Sequence, residues 1–162
     1  MITLGILAIL LAVAVPSFSN IIKENRNVAT VNSLSAAIGL ARAEALRRSK
    51  TVSICPSKAG VVCDGSTWAD GWMVFIDSIS TTGTPPVVAS PSDVLQVEGA
   101  QQDIMITTVS GPLWIRFNAR GMVQQAIDLD IKPTVCKPAV NYYRDYTVNV
   151  VGRVSATKTI CP

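Results

Sequence analysis

The chain has 162 residues, enough for one domain on a stalk but not for two domains, and 49% of them are apolar. It contains no histidine, which excludes a Ser-His or Cys-His nucleophilic pair and argues against a zinc site. The net charge of +3 is unevenly spread. Residues 1–50 carry six basic and two acidic side chains (+4), residues 51–130 three and eight (−5), and residues 131–162 five and one (+4). Two readings of the last excess stand: scatter over a solvated surface, or a basic C-terminal face suited to a polyanion.

Residues 1–22 (MITLGILAILLAVAVPSFSNII) lack any charged side chain, and the first charges are Lys23 and Glu24. As a helix this stretch would be about 33 Å long, close to the hydrocarbon thickness of a bilayer. It has no basic n-region of the kind a cleaved signal peptide carries, so it reads as a retained anchor. The helical pattern continues over residues 23–49 and becomes amphipathic. Val28, Val31, Leu34, Ser35, Ile38, Ala41, Ala45 and Leu46 recur at three- and four-residue steps, while Asn25, Arg26, Asn32, Arg42, Arg47 and Arg48 fall mostly off that stripe. Glu44 and Arg48 form an i, i+4 pair. One helix is therefore expected from residue 1 to about residue 48, kinked or locally melted at Pro16, which removes a backbone hydrogen bond and clashes with the preceding turn.

Past Lys50 the period becomes strand-like. Strands are expected at 51–55 (TVSIC), 71–77 (GWMVFID), 94–98 and 104–109, followed by a hairpin of 113–118 and 122–125 around a turn at 119–121. Between them, 56–68 reads as a loop fenced by Cys55 and Cys63, and 78–91 (SISTTGTPPVVASP) as a surface loop. In 127–135, Ile127, Leu129 and Ile131 face one way and Asp128, Asp130 and Lys132 the other. Strands at 143–151 and 154–160 flank a turn at Gly152-Arg153. The chain thus divides into a hydrophobic helix (1–22), its amphipathic continuation (23–49) and a β-rich head (50–162) of α+β class, built on antiparallel sheet.

Four cysteines, Cys55, Cys63, Cys136 and Cys161, lie in the head; an even count in an exported domain favours disulfides. Of three connectivities, Cys55–Cys63 with Cys136–Cys161 is favoured, because each bond closes a loop between neighbouring strands. Each would contribute on the order of 3 kcal/mol in the loop-entropy model. No catalytic or phosphate-binding motif occurs, and the Asp128/Asp130 pair is best explained as the solvated side of an amphipathic strand. Neither enzyme activity, nor a cofactor, nor a metal is expected.

LGILAILLAVAVPSF followed by an amphipathic helix resembles the N-terminal region of type IV pilins and type II secretion pseudopilins. The motifs ARAEA at 41–45, GWMVF at 71–75 and GRV at 152–154 are similar to the GspH/FimT/FimU class of minor pilins and pseudopilins. The resemblance implies a pilin-like fold, with a long N-terminal helix packed on an antiparallel two-sheet head. Pro16 matches the family's helix-breaking proline. The family's peptidase-processed FTLIE-type segment has no counterpart ahead of Leu4, so the processing site and docking glutamate stay unassigned.

The resemblance further implies a filament subunit that packs against other pilins through its N-terminal helix. Such a subunit rests in the bacterial inner membrane, head in the periplasm, before joining a pilus or pseudopilus. The expected role is help in initiating type IV pilus assembly; the alternative is a GspH-like minor pseudopilin of a type II secretion system. A binding role, DNA capture for natural transformation, would fall on Arg153 and Lys158, with Arg144 and Lys137 completing the face. Tyr142, Tyr143 and Tyr146 would add stacking surfaces, the alternative being that Tyr143 and Tyr146 pack on sheet or loop, and Ser155 stands where DNA-binding relatives have a second arginine.

Overall fold

The structure is a computed structural model that describes the backbone of residues 2–136 and 143–161, and the side chains of residues 21–136 and 143–161. It begins with one continuous helix, α1 (Ile2–Arg48). Arg47 and Arg48 lie in its last turn, where cations complement the helix dipole. Ser49 ends it by adopting a left-handed conformation (φ 53°), and the Lys50 N–H returns to the Ala45 carbonyl. The anchor expected at residues 1–22 and the side-chain environment of Pro16 fall almost wholly outside the described side chains. Among the described residues no helix is long and apolar enough to cross a membrane.

Eight strands follow: β1 (Val52–Pro56), β2 (Trp72–Ile76), β3 (Val94–Glu98), β4 (Ile104–Ser110), β5 (Ile115–Phe117), β6 (Ile127–Pro133), β7 (Tyr143–Val148) and β8 (Val154–Thr159). They form two four-stranded antiparallel sheets, ordered β3-β2-β1-β5 and β4-β6-β7-β8. This is the α+β, pilin-like arrangement expected from the sequence. β6 alternates as the pattern requires, with Ile127, Leu129 and Ile131 buried and Asp128 and Asp130 half-exposed. The expected second arm of the hairpin, residues 122–125, is not a strand. The hairpin contact itself is present: Val123 bridges Phe117, and the Asn118 N–H to Met122 carbonyl and Gln124 N–H to Arg116 carbonyl bonds (both 3.0 Å) flank it. The Val123 N–H goes to the Val150 carbonyl and ties the segment to the β7–β8 turn as well.

One core joins the three layers. Leu34, Ala37, Ile38, Ala41 and Ala45 of α1 meet Val52, Ile54, Trp72 and Val74 of the first sheet and Ile127, Leu129 and Ile131 of the second. Two residues of the expected stripe, Val28 and Leu46, are exposed. The buried line instead runs Asn27, Thr30, Val31, Leu34, Ile38, Ala41, Ala45. It can include the polar Thr30 because Gln101, from the loop before β4, accepts its hydroxyl proton at 2.9 Å. Leu46 leaves the line because it covers Gly121, lying close to where a β-carbon there would be.

The outer face of the first sheet carries a second, smaller core: Cys55, Met73 and Phe75 under Val88, Val94 and Trp114. The Ser/Thr/Pro-rich segment is a largely exposed loop, as expected, and contributes Val88 to this cover. Arg116 and Asp77, both fully buried, hold it down. The Arg116 Nε donates to the Asp77 carboxylate at 2.7 Å and its Nη1 to the Thr81 carbonyl at 2.7 Å. The other Asp77 oxygen accepts from the Ile79 and Val87 N–H groups at 2.9 and 3.1 Å. Disulfides join Cys55 to Cys63 and Cys136 to Cys161, with Cα–Cα distances of 5.6 and 5.7 Å.

These environments rank substitutions. Leu34→Ala should lower unfolding stability by about 2–5 kcal/mol, read from the urea midpoint, because it opens a cavity where helix and sheets meet. Val28→Ala, at an exposed site, should stay within about 0.5 kcal/mol. Asp77→Ala strands a buried guanidinium and should cost about 3–5 kcal/mol.

Candidate functional site

Two surfaces carry the residues singled out by the sequence. The first is the lower, described part of α1. Ile21 and Ile22 are 52% and 48% exposed, and Val28 is exposed one to two turns further on. Aliphatic side chains left in solvent beside a charged head favour removal from water, at about 0.8 kcal/mol per methylene buried.

The second is the basic C-terminal region, which the structure divides rather than assembles. Arg144 on β7 and Lys158 on β8 are direct cross-strand partners. Both reach Glu24 of α1: Lys158 Nζ donates a short hydrogen bond to the Glu24 carboxylate, and Arg144 Nη2 stands 3.8 Å from it. That hydrogen bond from Lys158 is the main cause holding the Glu24 carboxyl below its ordinary value; the charges of Lys158 and Arg144 add to it, and partial desolvation opposes it. Arg153 lies in the β7–β8 turn, five residues from Lys158 and so roughly 17 Å along the strand. Lys137 lies outside the described residues. Among the described residues, Arg144 and Lys158 are thus drawn to Glu24, and Arg153 lies apart from them.

The tyrosines are likewise committed. Tyr146 is buried and its hydroxyl shares a 2.9 Å hydrogen bond with Ser35 of α1; burial pushes its pKa up to about 12. Tyr143 is half-buried, with Lys132 Nζ 5.7 Å from its ring centre, and burial together with hydrogen bonding to Asp130 raises its pKa. Tyr142 lies outside the described residues. Of the two readings of Tyr146, packing and stacking on bases, its place in the core is the packed one.

The neighbours of Arg153 come from distant parts of the chain. Asn118–Gly121 and Asn149–Gly152 form two turns of the same build. In each, the glycine N–H returns to the asparagine carbonyl (2.9 and 2.8 Å), and the asparagine Oδ1 accepts from backbone, from Arg120 N in one and Arg153 N in the other, both at 2.9 Å. Both glycines have positive φ, 70° and 75°, a conformation that favours glycine. The turns stack: a β-carbon on Gly152 would come within 3.2 Å of the Gly121 carbonyl oxygen and 3.5 Å of the Arg42 guanidinium carbon. Arg42 donates to the Gly152 carbonyl at 3.4 Å. The repeated Asn-x-x-Gly spacing was the available sequence signal for this junction.

A long helix whose C-terminal half is packed on two antiparallel sheets, with Ile21, Ile22 and Val28 exposed below, defines the class of pilin-like subunits. Solved structures share the fold. The type IV minor pilin FimU of Pseudomonas aeruginosa (strain PAO1) is 18% identical with a TM-score of 0.58, over 85% of this chain and 90% of that one. The minor pseudopilin EpsH of the type 2 secretion system of Vibrio cholerae is 11% identical with a TM-score of 0.55, over 82% and 97%. The profile of the family described as type II transport protein GspH matches residues 30–152, and the chain belongs to that family. It is a minor pilin or pseudopilin of the GspH/FimT/FimU class. A search among curated proteins finds no significant match.

The Glu24 contact has a measurable consequence. Because the carboxyl is held below its ordinary value, the pairing is present at neutral pH and is lost only as pH falls through that lowered value. Glu24→Gln should free Arg144 and Lys158, so that at pH 7 the protein elutes from a heparin column at higher salt than the parent. Unchanged elution would mean the two cations are not masked.

Proposed function

We propose that this chain is a low-abundance type IV pilus subunit that helps initiate filament assembly, held in the bacterial inner membrane by residues 1–22 with its head in the periplasm until it is incorporated. The observation that carries the reading is the division of α1. From Val31 to Ala45 its apolar side chains are spent in the head, whereas Ile21, Ile22 and Val28 below are bare and contiguous with a charge-free stretch. Such a helix satisfies its apolar surface either in lipid or against similar helices, so one segment serves as anchor and then as filament core. The two disulfides support an exported head, and a kink at Pro16 would let the helix adjust between the two environments.

A GspH-like place in a type II secretion pseudopilus is the alternative, since EpsH shares the fold as FimU does. DNA capture is not carried by this geometry: Glu24 engages Lys158 and Arg144 and offsets one of their two charges, and Tyr146 is buried.

Deletion of the gene separates the two assemblies. Loss of surface pili with intact type II secretion supports the pilus reading, and the reverse outcome replaces it with the pseudopilin. Within either machine, Ile21→Asp/Ile22→Asp should reduce filament number roughly tenfold or more without unfolding the head. Burying a carboxylate at a helix contact costs more than the ~1.4 kcal/mol that a tenfold change needs. Wild-type filament counts from this variant would show that the bare helix surface is not the assembly surface.

A further inference from the structure

At the end of the head where α1 stops, three arginines come together without a carboxylate to meet them. Arg42 lies against Gly152, Arg120 precedes Gly121 and Arg153 follows Gly152, and the two glycine turns are stacked on one another. All three side chains are exposed, and among the described residues none has an ion-pair partner. The segments that build this end contain one acid, Glu44, and both of its oxygens are taken by Arg47 and Arg48. Those bonds, from Arg47 first, hold its carboxyl down at about 2, so it stays engaged across the physiological range.

The same end is apolar between its cations. Leu46 covers Gly121 and is half-exposed, Met122 is 45% exposed and Val151 is 53% exposed. The surface is also fixed in shape. Asn118 and Asn149 lock the two turns from inside, and the Val123 N–H to Val150 carbonyl bond (2.9 Å) ties one turn to the other. A preformed surface loses little conformational freedom on binding.

We propose that this end of the head is a docking surface for an acidic protein partner, whose carboxylates meet Arg42, Arg120 and Arg153 around an aliphatic contact on Leu46, Met122 and Val151. The mixture of aliphatic side chains and arginine matches the make-up of protein interfaces, in which arginine is enriched. Nucleic-acid surfaces are more polar and more uniformly basic, and single strands call for exposed aromatic platforms, which these turns do not supply. The inference rests on the reading of the chain as a filament subunit, and it names the chemistry of a neighbour that the helix contacts leave open.

The test is site-specific photo-crosslinking in the full-length chain, expressed in the bacterium that encodes it, with a photoreactive side chain at Val151 and, separately, at Ile22. The Val151 probe should give a protein adduct whose cross-linked peptide is rich in Asp and Glu. Charge reversal by Arg42→Glu/Arg120→Glu/Arg153→Glu should lower its yield roughly tenfold, and Lys in place of the partner's carboxylates should restore it. The Ile22 adduct, which reports packing between helices, should survive the reversal and shows that the variant is folded and assembled. An Ile22 adduct with no protein adduct at Val151, with one indifferent to charge reversal, or with nucleic acid in its place overturns the docking surface and keeps the filament reading. Absence of both adducts overturns both.

Discussion

The fold depends on one apolar stripe of α1 that two sheets share. Leu34, Ala37, Ile38, Ala41 and Ala45 touch β1 and β2 on one side and β6 on the other, so neither sheet closes its own core. Small residues matter as much as large ones here. Ala37, Ala41 and Ala45 are fully buried, and their methyl groups let the helix lie close to the sheets. A head of this kind cannot be understood apart from its helix, and the helix cannot leave without unroofing both sheets. The division of labour along α1 follows: the buried face of its upper half is structural property of the head.

Most of the architecture was legible in the amino-acid order because period-two alternation and the helix period are local signals. β6, β7 and β8 lie within a few residues of their expected positions, and α1 ends at Arg48 as its pattern indicates. What escaped was non-local. Residues 122–125 alternate like a strand arm and keep the hairpin contact, yet the Val123 N–H is claimed by Val150, nearly thirty positions away in the chain. The segment after Asp77 is the loop its composition indicates, but Arg116, 39 positions from Asp77, fastens it down, and its Val88 covers part of a second core. Nothing in the local composition of residues 78–91 announces that guanidinium.

Charge was the least legible property. The C-terminal excess of basic residues is real as a count, but its meaning depends on where acids arrive from elsewhere. Glu24, 134 positions from Lys158, engages that lysine and approaches Arg144. Arg153 is joined instead by Arg42, delivered by the helix, and by Arg120, delivered by a turn of matching build. Of the described cations named from sequence, Arg153 and Lys158 are exposed and Arg144 is half-buried. Long-range pairing, which composition does not encode, decides which cations stay available.

The Cys136–Cys161 bond has a mechanical meaning. It bridges 25 positions of chain and fastens the far end of the edge strand β8 to the segment leaving β6. Under tension, an edge strand paired on one side only is where a sheet begins to peel. Cross-linked in this way, the chain between the two cysteines is removed from the extensible length: about 85 Å of contour cannot be drawn out even if the sheet yields. Even with their ladder hydrogen bonds opened, β7 and β8 thus stay a closed loop fastened to the chain just after β6.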